Sequence, residues 1–343
     1  MKERRLNLGG VRLTFAVDEE RLERLLASPL FRYFVQPGLS LVAGRNGKNG
    51  SSGNGENGQY EDALIVPPHT AAAPPSDPKA RKILKAISKI KWYHTLDLGH
   101  GVVTPGFIDN RDTVPLFGLP EDLTGKRCLD IGTYDGFWAF EMERRGASEV
   151  IAIDVDSPTD YDVPRKHRDQ IIEEANAQEE ALRANWDKRG DYVGIQFPGD
   201  GFRMAKKILK SKVERKGLNV YDLSPEKVGK FDVILISQLL LRLRDPQTVI
   251  ENMFSVTRGF AIIAEGYDAE LEALDRPASE FIGTTSLGVW WGHSIKSMKL
   301  MMEVAGFDPV EEVSRFNAEN RAGKFTKVVL KGHAPSAKSE AKS

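Results

Sequence analysis

Residues 127–137, RCLDIGTYDGF, run from a short apolar stretch into two glycines four apart and then into a helical pattern, FWAFEMERR, over 137–145. A short, mainly apolar run of five residues bounded by glycine reads as a buried strand, and the apolar spacing after Phe137 reads as a helix packed on it. Gly132 permits a tight turn with close approach of backbone to a ligand, and Gly136 lets the helix start against the sheet. A dinucleotide loop of the form G-x-G-x-x-G beginning at Gly132 would need glycines at 134 and 137, where the chain has Tyr134 and Phe137. No Gly-Lys-Ser/Thr follows, so a phosphate-cradling P-loop is excluded as well.

Outward from this turn, short apolar runs alternate with helical patterns. Strands are expected at 127–131, 149–153, 218–221, 231–236 and 259–264, and helices at 137–145, 165–188, 203–213 and 246–256. Such alternation predicts a Rossmann-like α/β fold, a mostly parallel sheet with helices on both faces. Two further runs, 309–316 and 325–331, predict a closing antiparallel hairpin across 317–323. In open parallel sheets ligands bind beyond the carboxyl ends of the strands. Asp154 lies there, 22 residues past Gly132, near the spacing expected of an acid that holds ribose hydroxyls. Asp222 ends the third predicted strand, where it could reach an adenine amino group, and Ser237 follows the fourth. A nucleoside without phosphates needs none of the missing glycines. The loop therefore points to S-adenosylmethionine (SAM), with Asp130, Gly132, Tyr134, Gly136, Asp154, Asp222 and Ser237 as its expected contacts.

The segments WYHTLDLGHGVVTPG (92–106), LDIGTYDGFWAFEMERRGA (129–147), NVYDLSPE (219–226), FDVILISQLLLRLRDP (231–246) and WWGHSIKSMKLMMEVAGF (290–307) resemble class I SAM-dependent methyltransferases. The resemblance covers roughly two-thirds of the chain and is strongest to the branch related to tRNA wobble-uridine 5-oxyacetate (carboxymethyl-transferring) enzymes. It implies the class I sheet and SAM, with carboxy-SAM as the donor of that branch. Three departures stand out. Tyr134 replaces a glycine common in the superfamily, Arg242 stands where relatives often carry histidine, and the basic segment that holds the extra carboxylate of carboxy-SAM is not recognisable upstream of Asp130.

Methyl transfer is an in-line displacement, so the protein must position the nucleophile, with a general base for an oxygen or nitrogen acceptor. Of six histidines, His94 and His293 are the candidate catalytic groups. His94 and His100 flank a Gly99–Gly106 loop placed as a lid would be, and His293 follows Trp290-Trp291 after the fifth strand. Trp92, His100, Trp290 and Trp291 are candidate acceptor contacts. Met298, Met301, Met302 and Ala305 recur at helical spacing before Gly306 and read as core. No Cys/His/Asp spacing indicates a metal.

The chain has 343 residues, 41% of them apolar, so it can bury a core of about two domains' size. With 48 basic and 49 acidic residues its net charge is −1, which supplies no global field for nucleic acid or membrane. A tRNA partner would need a local patch, and the basic stretches 79–91 and 203–216 are the candidates. The single cysteine, Cys128, lies in an apolar run and reads as buried and inert. With neither a secretory pattern nor a membrane-length apolar stretch, the expected location is cytoplasmic.

Residues 1–43 form a small strand-plus-helix element in this reading, with Val11, Leu13 and Phe15 alternating. Residues 44–76 read as a Gly/Asn/Ser-rich then Pro-rich linker, 77–331 as the SAM-dependent domain with an insertion at 155–217, and 332–343 as a disordered tail. The leading expectation is methyl transfer to an O or N nucleophile of a small-molecule or glycan-like acceptor. A tRNA-modifying (carboxy)methyltransferase and a non-catalytic SAM-binding module are the alternatives.

Overall fold

The apolar runs assemble into sheets in a computed structural model that describes residues 2–8, 11–17, 76–88, 90, 92–157, 160–162, 164, 198–283, 289–320 and 323–335. The chain divides into two units, 1–70 with 321–323 and 71–320 with 324–343. In the first, β1 (Lys2–Leu8) pairs antiparallel with β2 (Val11–Val17) in a register running from Lys2↔Val17 to Leu8↔Val11. The expected helix after Leu22 and the linker up to 75 lie outside the described residues.

The second unit opens with α1 (Pro78–Ile87), capped by Asp77, whose Oδ1 accepts the Lys79 N–H at 2.8 Å. Proline at the first helical position and an Asp cap satisfy the orphan N–H groups of a helix start. There follow β3 (Arg127–Ile131), α2 (Phe137–Arg144), β4 (Glu149–Asp154), α3 (Asp200–Leu209) and β5 (Glu214–Gly217). The second half contains α4 (Pro225–Val228), β6 (Phe231–Ser237), α5 (Pro246–Ser255), β7 (Thr257–Gly266) and α6 (Ala269–Glu272). It closes with β8 (Ser279–Phe281), β9 (Trp291–His293), α7 (Ile295–Ala305), β10 (Val310–Asn320) and β11 (Gly323–His333).

Seven strands form one sheet in the order β10-β11-β7-β6-β3-β4-β5. β3 pairs parallel with β4 and β6, β4 with β5, and β6 with β7, while β11 runs antiparallel to β7. β8 and β9 make a separate antiparallel pair. This is a Rossmann-like, mostly parallel sheet with the predicted antiparallel closure.

Strand alternation sends side chains to two cores. Cys128, Val150, Ala152, Val233, Leu235 and Val329 pack with Trp138, Met142 and Phe202 from α2 and α3. Leu129, Ile151, Ile234, Ile236 and Val328 pack on the other face with Ile250 and Met253 of α5 and Met298 and Met302 of α7. Each such side chain contributes about 1.5–3 kcal/mol on burial. The methionine stripe of α7 is core, as expected, and Gly306 ends that helix at φ +110°.

Several boundaries differ from the sequence reading, among them the closing hairpin, whose strands reach Asn320 and restart at Gly323, inside the expected 317–323 turn. The third strand is Glu214–Gly217, not 218–221, and Val220–Asp222 form a 3-10 turn. The helix expected over 203–213 is Asp200–Leu209, so the basic stretch 203–216 spans a helix end and an edge strand. The closing strand runs through His333, into the segment read as tail. The helix expected at 165–188 falls outside the described residues. Among the described residues no helix is long and apolar enough to cross a membrane, and no group of three His, Cys, Asp or Glu side chains could hold a metal ion.

Candidate active site

The turn leaving β3 is built from the backbone outward. Gly132 sits at φ +71°, and a Cβ there would stand 2.9 Å from Leu239 Cδ2. Gly136, at φ +93°, starts α2, and a Cβ would meet Phe140 and Phe202 at 2.6 and 2.7 Å. Glycine is needed at both positions for space and for φ. The N–H groups of Gly132 and Thr133 donate to Ile153 O at 2.9 and 3.2 Å, tying the turn to the end of β4.

Three carboxyl groups hold this region together. Asp154 Oδ2 accepts the Tyr134 N–H at 2.7 Å and Oδ1 accepts the Val155 N–H at 2.8 Å. A carboxylate offers about four acceptor positions, so Asp154 keeps one on each oxygen, a pair suited to two adjacent hydroxyls. Burial raises its pKa, against the pull of the two N–H donors. Asp130 turns inward instead: its Oδ2 accepts the Thr133 hydroxyl at 2.7 Å and the Ala139 N–H at 3.1 Å. Asp130, expected among the cofactor contacts, here braces the turn and the start of α2. Asp135 was not anticipated. Its Oδ2 accepts the Tyr93 and His94 N–H groups at 2.6 and 3.0 Å, pinning the 92–108 loop onto the turn. Burial pushes Asp130 and Asp135 each up to about 7.

The 92–108 loop is itself knitted. Thr104 Oγ1 donates to His94 O and accepts the Leu96 N–H, both at 2.7 Å, and Ile108 N–H donates to Tyr93 O at 2.9 Å. His94 is buried between Tyr93 and Phe137, with ring centroids at 4.7 and 5.7 Å, and its Nδ1 has no hydrogen-bond partner. Burial and the charge of Lys327 hold its pKa down to about 3. Lys327, also unanticipated, is fully buried on β11. Its Nζ donates to Ser237 Oγ at 3.1 Å and lies 4.9 Å from the centre of the Phe117 ring. Burial lowers it to about 8, opposed by the charge of Glu265. Glu265 is raised by burial and accepts the Leu240 and Gly266 N–H groups at 2.8 and 2.9 Å. Ser237 thus stands at the sheet rim beside a buried amine.

Other expected contacts are placed elsewhere. Asp222, expected at the adenine, lies in the turn after β5 with 63% of its side chain exposed, 3.7 Å from Lys227 Nζ. Its neighbour Tyr221 donates to Asp162 Oδ2 at 2.7 Å. Trp92 is core: its Nε1 donates to Ile87 O at 3.1 Å, anchoring the loop to α1. His100 pairs with the α1 cap, Nδ1 to Asp77 Oδ2 at 2.8 Å.

A second cluster surrounds β8 and β9. Trp290 Nε1 donates to Asp162 O at 2.7 Å under the Arg244 guanidinium, and Trp291 Nε1 donates to Arg244 O at 3.1 Å. Phe281 lies 5.2 Å from Trp291 and 6.1 Å from Trp290. His293 Nδ1 is 2.8 Å from Ser279 Oγ, while its buried Nε2 has no partner, and burial lowers its pKa to about 4.

The strand order, the antiparallel closing strand and the glycine turn at the carboxyl rim define a Rossmann-like class I methyltransferase fold. The Methyltransferase domain family matches residues 108–312, more than half of the chain, and the chain belongs to that family. It is therefore a SAM-dependent methyltransferase, and SAM is its cofactor. Among solved structures it is similar to the N-terminal domain of EvdMO1 in the presence of S-adenosylhomocysteine (SAH) and D-fucose. Identity there is 15%, over 76% of this chain and 98% of that one, with a TM-score of 0.47. Magnesium protoporphyrin IX methyltransferase from Synechocystis PCC 6803 with bound SAH is 13% identical over 62% of this chain and 76% of that one, TM-score 0.38. Burkholderia thailandensis 1,6-didemethyltoxoflavin-N1-methyltransferase, with its substrate and SAH, is 12% identical over 62% and 72%, TM-score 0.40. No curated protein matches the chain.

Proposed function

We propose that the chain transfers a methyl group from SAM to an oxygen or nitrogen nucleophile of a small-molecule or glycan-like acceptor at the carboxyl rim of β3, β4 and β6. The observation that carries this reading is the Asp154 carboxylate beside the Gly132 turn, with two acceptor positions left for a ribose diol. Gly132, Tyr134 and Gly136 would shape the methionine end, with Ser237 at the opposite rim. SAM supplies an activated methyl group, and the chain's task is to align the nucleophile and exclude water. His94 is neutral at physiological pH, so its Nδ1 can accept a hydrogen bond from an acceptor O–H or N–H and aim the lone pair. His293 Nε2 could serve an acceptor resting on Trp290 and Trp291 in the same way.

Titration calorimetry tests the site. Wild type should bind SAM with micromolar affinity, and Asp154→Ala should weaken it about tenfold or more, the loss expected of charge-assisted hydrogen bonds. No binding by wild type overturns the reading.

A tRNA acceptor, with carboxy-SAM as donor, is the second reading. Exposed Lys79, Lys82 and Lys85 on α1 favour it. Arg203, Arg215 and Lys216 of the other basic stretch weigh against it, since they are paired with Asp200, Asp156 and Glu214. Salt-sensitive tRNA binding together with a preference for carboxy-SAM over SAM would establish this second reading. Indifference to both rejects it.

A further inference from the structure

Because β11 runs antiparallel to β7, it begins at the rim where β6 and β7 end, and Lys327 pairs there with Gly266, the last residue of β7. Its ammonium is fully buried, which is costly unless the charge is compensated. Compensation is partial. Glu265 attracts it, but each Glu265 oxygen already accepts a backbone N–H, and no salt bridge joins the two side chains among the described residues. Arg242 adds a second positive charge near Glu265, and His94, which feels the Lys327 charge, is neutral. The cluster is therefore net positive. Lowered by burial to about 8, Lys327 is still mostly protonated at neutral pH. An ammonium has three donors and no acceptor. Ser237 Oγ, 3.1 Å from Nζ, must therefore accept, which leaves the Ser237 O–H to donate elsewhere. That hydroxyl has no other partner among the described residues, and Ser237, unlike Lys327, is only half-buried. It ends β6, one position beyond the Ile131–Ile236 pair that sets β6 level with the Gly132 turn. A hydroxyl polarised by a buried cation is a strengthened donor, best matched to an oxygen that carries charge.

We propose that Ser237, backed by Lys327, is the subsite for a negatively charged acceptor oxygen, so that the acceptor is an acidic O–H compound (a phenol, enol or carboxylic acid) bound as its anion. The inference rests on the methyl-transfer reading and narrows its acceptor from any oxygen or nitrogen nucleophile to this class. Ser237 touches the oxygen, and Lys327 is a positioning residue that acts through it. The acceptor's proton leaves to water as the anion binds. A lone pair of the anionic oxygen then forms the bond to the methyl carbon, and the electrons of the broken C–S bond stay on sulfur. The negative and positive charges cancel in one step, and both products are neutral at the reacting atoms.

The test uses 4-nitrophenol, whose anion alone is yellow, titrated into the full chain in the presence of SAH across a range of pH. Wild type should bind the phenolate at least about tenfold more tightly than the phenol, seen as a lowered apparent pKa of the probe. Ser237→Ala leaves the buried charges in place and should cut that preference at least about threefold. Lys327→Met alone would strand Glu265, so the double variant Lys327→Met/Glu265→Gln is used, and it should abolish the preference. A purely structural lysine would alter stability in these variants and leave the probe's pKa shift unmoved. Equal binding of both forms by wild type, no binding of the probe, or a preference that survives undiminished in either variant overturns the subsite. Calorimetry with SAM separates the failures: SAM binding without phenolate preference removes only this inference, whereas no SAM binding removes the methyl-transfer reading too.

Discussion

The β3–β4 rim and the β5 rim carry the same kind of residue at the end of a strand and use it in opposite ways. At β3 and β4, Asp130, Asp135 and Asp154 are enclosed by backbone N–H groups of the neighbouring turn and loop. At β5, Asp222 has slipped into a 3-10 turn and faces solvent and Lys227. Whether orphan donors close over a carboxylate decides if it organises the region or only solvates it.

The sharpest way to break this contrast is Asp135→Ala. It strands the buried His94 N–H and the half-buried Tyr93 N–H and should destabilise the fold by about 2–4 kcal/mol in urea unfolding. A loss no larger than that of Asp222→Ala would erase the distinction. A second experiment uses pH. Burial raises Asp130 and Asp135 to about 7, above the ordinary 3.8, so the folded chain binds more protons than the unfolded chain between these values. Their contribution to stability is complete below pH 4 and is lost as pH rises through 7. Asp130→Asn should flatten that decline by up to about 1.4 kcal/mol per pH unit, read from urea midpoints between pH 4 and 7. The smallest effect belongs to Asp222→Ala, which should change stability by less than about 0.5 kcal/mol and leave SAM affinity as it was.

The same contrast explains what could be read in the sequence. The strand at 127–131 appears there without error because it lies in the middle of the sheet and its apolar residues Cys128, Leu129 and Ile131 run straight into the Gly132 turn. β5 was displaced by a few residues because an edge strand paired on one side can be wholly polar. Glu214–Gly217 carries no apolar residue, while the neighbouring Leu218 and Val220 draw the eye. Gly132, Gly136 and Asp154 were legible because backbone conformation and spacing demand them. Asp135 was not, since an Asp before Gly reads as an ordinary turn and its partners, Tyr93 and His94, lie some forty residues upstream. Lys327 was hidden by its strand, where a lysine amid apolar residues suggests the solvent face. Only the fold brings it under Phe117 and Ser237.

The lone sulfhydryl has a practical consequence. Cys128 lies fully buried on the central strand β3, with burial pushing its thiol up to about 12, far from the thiolate form that reacts. The folded chain should therefore react only slowly with maleimides and iodoacetamides. A cysteine engineered at an exposed position, Val304 on α7 for instance, would carry a fluorophore or spin label alone, with no background to subtract.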